Sequence, residues 1–293
     1  MASSANDSLG AQSPATIIDY LRAIGDDETA DRLQPPGGTG QGFGFDFGSD
    51  VWGQTGVLVG FIPPTPSGRL AAVENAYTLA PDYSLKGSRI KISLERFWVE
   101  SYPGRGTHEI LCEFNGKNQA QGEQEEMQFT LTTTAKDKSS AAIVGAPIFL
   151  GVTVGKNGIA FEGKTINVRS KDDEDLLAAL STGSFREGLS LLTTVQPALK
   201  PFVGLASSVV NAVMKRSENA QIQFFKLGFD FSQNQTSVAL RHGSFAVIQA
   251  DDASWDWTKL AWNVDAQQIV HSATGKAIPF NYLILRISPY EEE

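Results

Sequence analysis

The strongest constraint on this chain is a two-residue hydrophobic period that returns in short bursts. Arg89–Glu100 alternates through Ile90, Ile92 and Leu94 and then turns aromatic at Phe97 and Trp98. Gly56–Phe61, His108–Phe114, Gln128–Thr134, Ile143–Val154, Gln221–Phe231, Ser237–Leu240, Ser244–Gln249, Gln268–His271 and Tyr282–Ile287 also have strand character, most of them bounded by glycine, proline or polar turn residues. Side chains of a strand point alternately to opposite faces, so such runs each offer one apolar face to a core. About ten short runs without regular helix alternation exclude a parallel βαβ architecture. They predict a mainly β fold, an antiparallel β-sandwich. Asn157-Gly158, between Gly151–Val154 and Ile159–Val168, predicts a hairpin closed by a type I′ turn. A break in alternation near Lys226 predicts a bulge.

Helical periodicity is confined to two places. Ser13-Pro14 reads as a cap followed by proline at the first helical position, and Ile17, Ile18, Leu21 and Ile24 follow at helical spacing. A second short helix runs from Asp26 to Leu33, giving a helical arm over residues 1–34. A glycine-rich linker, residues 35–50, comes next, with Phe43, Phe45 and Phe47 interleaved. Its glycine spacing does not match a phosphate cradle, since no strand precedes it and no lysine-serine/threonine pair follows. The body, residues 51–293, carries a helical insertion near 171–217. There, Asp172, Asp173 and Asp175 place negative charge at a helix start. Ser184–Glu187 forms a capping box for a second helix that Pro197 and Pro201 kink or restart. Leu192, Val195, Leu199, Phe202, Val203, Ala206, Val210 and Val213 form one apolar stripe at three-and-four spacing.

Composition narrows the function classes. Acidic residues outnumber basic ones 33 to 24, a net charge of −9, which argues against a nucleic-acid partner that needs a basic face. A single cysteine excludes a disulfide framework and a thiolate zinc cluster. The first residues show no basic-then-apolar leader, so the expected location is cytoplasmic. Ala141–Val154 is too short to span a bilayer. Leu189–Met214 is long enough but carries Lys200 and two prolines. Membrane contact is therefore not the favoured reading.

No catalytic signature emerges, and neither a cofactor nor a metal is expected. Cys112 lies mid-strand in phase with Ile110 and Phe114, which points it to the core as an inert thiol. His108, His242 and His271 lack metal-ligand spacing, and no GxSxG elbow is present. Asp251, Asp252 and Asp256 superficially match acidic calcium loops, but a hard cation wants oxygen ligands converging from several loops. Trp255, Trp257 and Trp262 fall within eight residues and form the best candidate binding loop, or else they cap an open end of the sandwich. The expected function is a soluble, non-catalytic interaction or self-assembling protein with a protein partner. Two alternatives stand beside it: a membrane-active or pore-forming effector that releases the 184–216 block, and a hydrolase with a dispersed site.

Overall fold

The computed structural model describes residues 4–34, 47–48, 50–66, 68–120, 123–180, 187–191, 200–232, 237–251 and 255–291. The chain is mainly β. Its strands are β1 (Val57–Ile62), β2 (Leu70–Ala72), β3 (Glu74–Asn75), β4 (Arg89–Val99), β5 (Thr107–Ala120), β6 (Glu123–Lys136), β7 (Ser139–Ser140) and β8 (Ala146–Thr153). They continue with β9 (Ile159–Val168), β10 (Leu189–Ser190), β11 (Ala220–Asp230), β12 (Val238–Ala239), β13 (Gly243–Gln249), β14 (Leu260–Asn263), β15 (Gln268–His271) and β16 (Tyr282–Pro289). The larger sheet runs β10-β8-β4-β16-β13-β1-β3, with β7 also on β4, and the second runs β12-β11-β9-β5-β6. Pairing is antiparallel except for β10 on β8 and β12 on β11.

The inner faces of the two sheets meet through aromatic rings. Phe149 of β8 lies 6.0 Å from Phe161 of β9 and 6.4 Å from Phe129 of β6, and Phe229 of β11 lies 4.9 Å from Phe245 of β13. Offset and edge-on pairs of this kind add to the area that such side chains bury. The arm belongs to the same core. Helix α1 (Pro14–Ala23) is capped by Ser13, whose side chain accepts from the Thr16 amide, and it buries Ile17, Tyr20 and Leu21. Helix α2 (Asp27–Leu33) buries Ala30 and Leu33. The Asn167 side-chain amide on β9 donates to the Tyr20 hydroxyl at 3.1 Å, fastening the arm to the sandwich.

Two further layers cover the outer faces. A three-stranded sheet, β15-β14-β2, lies over the larger sheet and makes a second apolar cluster with Ile62, Ala246, Ile248, Tyr282 and Ile284. Helix α4 (Lys200–Val213) lies on the outer face of the five-stranded sheet, chiefly against β6. The shorter helix α3 (Glu174–Ala179) precedes it.

Several local expectations are corrected. Asn157-Gly158 does not close a hairpin: β8 and β9 belong to different sheets, and the turn carries the chain from one to the other. Gly158 has φ +92°, while Asn157 is not in the left-handed region a type I′ turn demands. A Cβ at Gly158 would run into the Phe229 carbonyl, so glycine is required there by the close approach of β11. The β11 irregularity falls between Gln221 and Gln223 rather than near Lys226. The 171–217 insertion is not purely helical, because Leu189 and Ser190 add a short parallel strand to β8. The Ser184–Glu187 box lies largely outside the described residues, and α4 starts at Lys200 with Pro201 in its first turn, where the missing N–H costs nothing. Asp173 does not cap α3 with its side chain. It accepts from Asn219 at 2.7 Å and faces Arg216 at 3.6 Å.

Candidate functional site

The outward side chains of the larger sheet explain where the tryptophans go. Trp255, Trp257 and Trp262 are all half-buried against the second apolar cluster, over the sheet face and not at an end of the sandwich. The Trp255 ring centre is 5.6 Å from Trp257 and 5.1 Å from Phe280, both edge to face. The Trp257 ring occupies the space a side chain at Gly60 would take. Asp256 accepts from the Thr258 amide at 3.0 Å and pairs with Lys259 at 3.3 Å, which fixes the short turn between Trp255 and β14. Asp251 accepts from the amides of Thr55 and Gly56. Both carboxylates are thus engaged by their own loops, and Asp252 lies outside the described residues. Among the described residues, no three His, Cys, Asp or Glu side chains are grouped to hold a metal.

Trp262 has a different setting from its two neighbours. It sits on β14 and forms one wall of a pocket of about 200 Å³ with Pro63, Pro64, Arg96, Val144 and Arg286. Val144 is 73% exposed at its rim.

On the opposite side of the molecule, α4 turns Ala206, Val209, Val210 and Val213 onto the five-stranded sheet and leaves Gly204, Leu205, Ser208 and Asn211 outward. Val203 is half-buried, and Leu192, Val195 and Leu199 lie outside the described residues, as does any account of the Phe202 side chain. The face beneath carries a polar chain. The Ser207 hydroxyl donates to Gln128, Gln128 donates to Glu113, and Glu113 pairs with Lys164 at 2.5 Å. Glu113 and Lys164 are cross-strand partners on β5 and β9, with side chains only 4% and 9% exposed. A pocket of about 380 Å³ crosses the same face where Val203 overhangs Lys117, Glu126, Ala160, Glu162 and Lys226.

The histidines and the cysteine divide by burial. His108 is fully buried, with Nε2 2.9 Å from Asp137 Oδ1, an oxygen that also accepts from the Tyr102 amide. Asp137 and Ser101 line a pocket of about 300 Å³ between arm and body, together with Asp26, Asp50 and Arg105, and His108 is not among its walls. Burial raises the Asp50 carboxyl above the usual carboxylate range, although Arg32 opposes the shift. Cys112 is fully buried, and desolvation pushes its thiol up to about 12.

One feature escapes the periodicity reading: strands β5 and β6 are far longer than the alternating apolar cores His108–Phe114 and Gln128–Thr134. Their ladder continues through polar residues as far as Ala120 paired with Glu123. The only sequence sign is weak, since polar residues then occupy both faces and erase the period. As a result β6 is a fourteen-residue strand at the end of its sheet, whereas β3, β10 and β12, at other sheet ends, have two residues each. The Thr134 carbonyl accepts from the Ala142 amide on the side away from β5. Alternation then turns the backbone groups of Glu126, Gln128, Thr130 and Thr132 to that same side, where Thr130 is fully buried and Gln128 and Thr132 are half-buried.

No family model, no curated protein and no solved structure matches the chain.

Proposed function

We propose that this is a non-catalytic, self-assembling interaction protein whose copies join edge to edge through β6. The single observation behind this reading is the length of that terminal strand: a long edge presents a row of backbone donors and acceptors, the usual template for adding a strand.

The charge order along β6 favours a second copy of this chain as the occupant. The strand begins with Glu123, Glu125 and Glu126, passes through the uncharged run Met127–Ala135, and ends at Lys136, with Asp137 and Lys138 following. Two copies paired antiparallel about Thr130 place Lys136 of each opposite Gln124 and diagonal to Glu126 of the other, within reach of long side chains. Gln128 then faces Thr132 of the second copy, and Phe129 faces Leu131. Such an interface is isologous and closes as a twofold dimer. Apolar cross-strand pairs such as Phe129 with Leu131 each add about 0.2–1 kcal/mol.

Light scattering at rising protein concentration tests the reading. The wild-type chain gives a dimer, and Thr132→Pro, which removes one outward N–H without touching the β5 ladder, shifts it to monomer. Thr134→Glu is the milder companion, since it faces Glu126 of the second copy and like charges directly opposite are destabilising. A monomer at all concentrations, or a dimer untouched by both variants, overturns it.

A further inference from the structure

We infer that the Trp262 pocket is a binding site for a small oxyanion, a carboxylate or a phosphate, carried on a flat apolar body. Two of the described arginines stand apart from the rest. Every other described arginine meets a carboxylate, a backbone carbonyl or an aromatic ring: Arg22, Arg32, Arg69, Arg105 and Arg216 form ion pairs. Arg89 and Arg169 donate to carbonyls, and Arg241 lies over Phe61. Arg96 and Arg286 alone have neither an ion pair nor a hydrogen bond among the described residues, and the two line the same pocket. Both are half-buried. In a chain of net charge −9, carboxylates to quench them are plentiful, so their lack of a partner is not a shortage of acids.

Local backbone geometry accounts for the convergence. Arg96 on β4 pairs with Ile284 on β16, whereas the next β16 residue, Leu285, pairs with Leu94. Glu95 is therefore an extra residue in a bulge, a device that bends a strand and re-aims side chains, often beside binding sites. The Glu95 carboxylate also lines the pocket, where it accepts from the Ser93 hydroxyl at 3.0 Å and leaves the site with two guanidinium groups against one carboxylate. Arg286 sits one outward position beyond Ile284 on the neighbouring strand, so both guanidinium groups issue from the same face.

The ligand class follows from the walls. A guanidinium presents a planar fork that matches the paired oxygens of a carboxylate or phosphate, and two of them supply a double charge-assisted grip. Trp262, Pro63 and Pro64 form apolar walls that suit a flat ring better than a hydrated ion alone. A volume of about 200 Å³ admits one such ring and its anionic group, not an extended chain. This site lies on the larger sheet, away from the β6 edge, and stands independently of the assembly.

Calorimetric titration with phenyl phosphate, inorganic phosphate and benzoate tests the inference, with Trp262 fluorescence followed in parallel. Saturable binding with phenyl phosphate tighter than inorganic phosphate is expected, and the rank of phenyl phosphate against benzoate separates a phosphate from a carboxylate site. Arg96→Gln and Arg286→Gln should each weaken binding by about tenfold or more. Trp262→Phe should lower the preference for the ring-bearing ligands. The arginine variants should melt at the wild-type temperature, since neither side chain holds a partner within the protein. No saturable binding by any of the three probes, or affinity unchanged in the Arg96→Gln/Arg286→Gln double variant, overturns the inference.

Discussion

Cys112 shows how a residue's chemistry follows from its phase in a strand. Its position opposite Glu113 in the alternation puts it on the inner face, fully buried, and desolvation pushes its thiol up to about 12. Thiolate is the reactive form, so the folded protein should be inert to maleimide at pH 8 and label only after denaturation. Labelling at the rate of a free thiol would contradict its burial. The next residue, Glu113, faces the other way and is sealed against Lys164 beneath α4. Lys164→Met leaves a carboxylate buried without its counter-charge and should cost about 3–5 kcal/mol in chemical denaturation, while Glu113→Gln with Lys164→Met should recover most of that loss. Equal losses in the single and double variants would mean that the pair is not coupled. At this scale the sequence was informative where a residue's environment is set by its own strand. The inward phase of Cys112 is visible from Ile110 and Phe114. The Glu113–Lys164 pair is not, because it depends on which strands become neighbours.

Elements were legible in type more than in partnership. Periodicity located most of the long strands, both arm helices and the apolar stripe whose second half is α4. It misassigned Asn157-Gly158, because a turn between sheets and a turn within one draw on the same residues, and only the approach of β11 to Gly158 tells them apart. It also stopped β5 and β6 short, since their ends are polar on both faces while backbone pairing persists. The arm, two short helices ahead of a glycine-rich linker, carries Leu21 and Tyr20 into the main core. Leu21→Ala should accordingly cost about 2–5 kcal/mol of global stability, with a single cooperative melt. Loss of less than ~0.5 kcal/mol, or a separate early transition for the arm, would show that it folds apart from the body.

The whole molecule is a β-sandwich clad on both outer faces, by a three-stranded sheet with its tryptophans on one side and by α4 on the other. The candidate tryptophans were found from their clustering alone. Their division was not: Trp255 and Trp257 support the second core, and Trp262 walls a pocket with Arg96 and Arg286, residues nearly two hundred positions apart that only the β4–β16 pairing unites. With both faces covered, assembly is placed on β6, the longest strand at a sheet end among the described elements. The most direct measurement is amide hydrogen exchange along β6 as a function of protein concentration. Within one chain the N–H groups of the half-buried Gln128 and Thr132 face away from β5, so they exchange faster than the ladder amides unless a second strand covers them. Edge-to-edge assembly predicts that their protection rises with concentration and is lost in Thr132→Pro, while the alternate amides stay protected throughout by β5. Rapid exchange of these two amides at every concentration would contradict it.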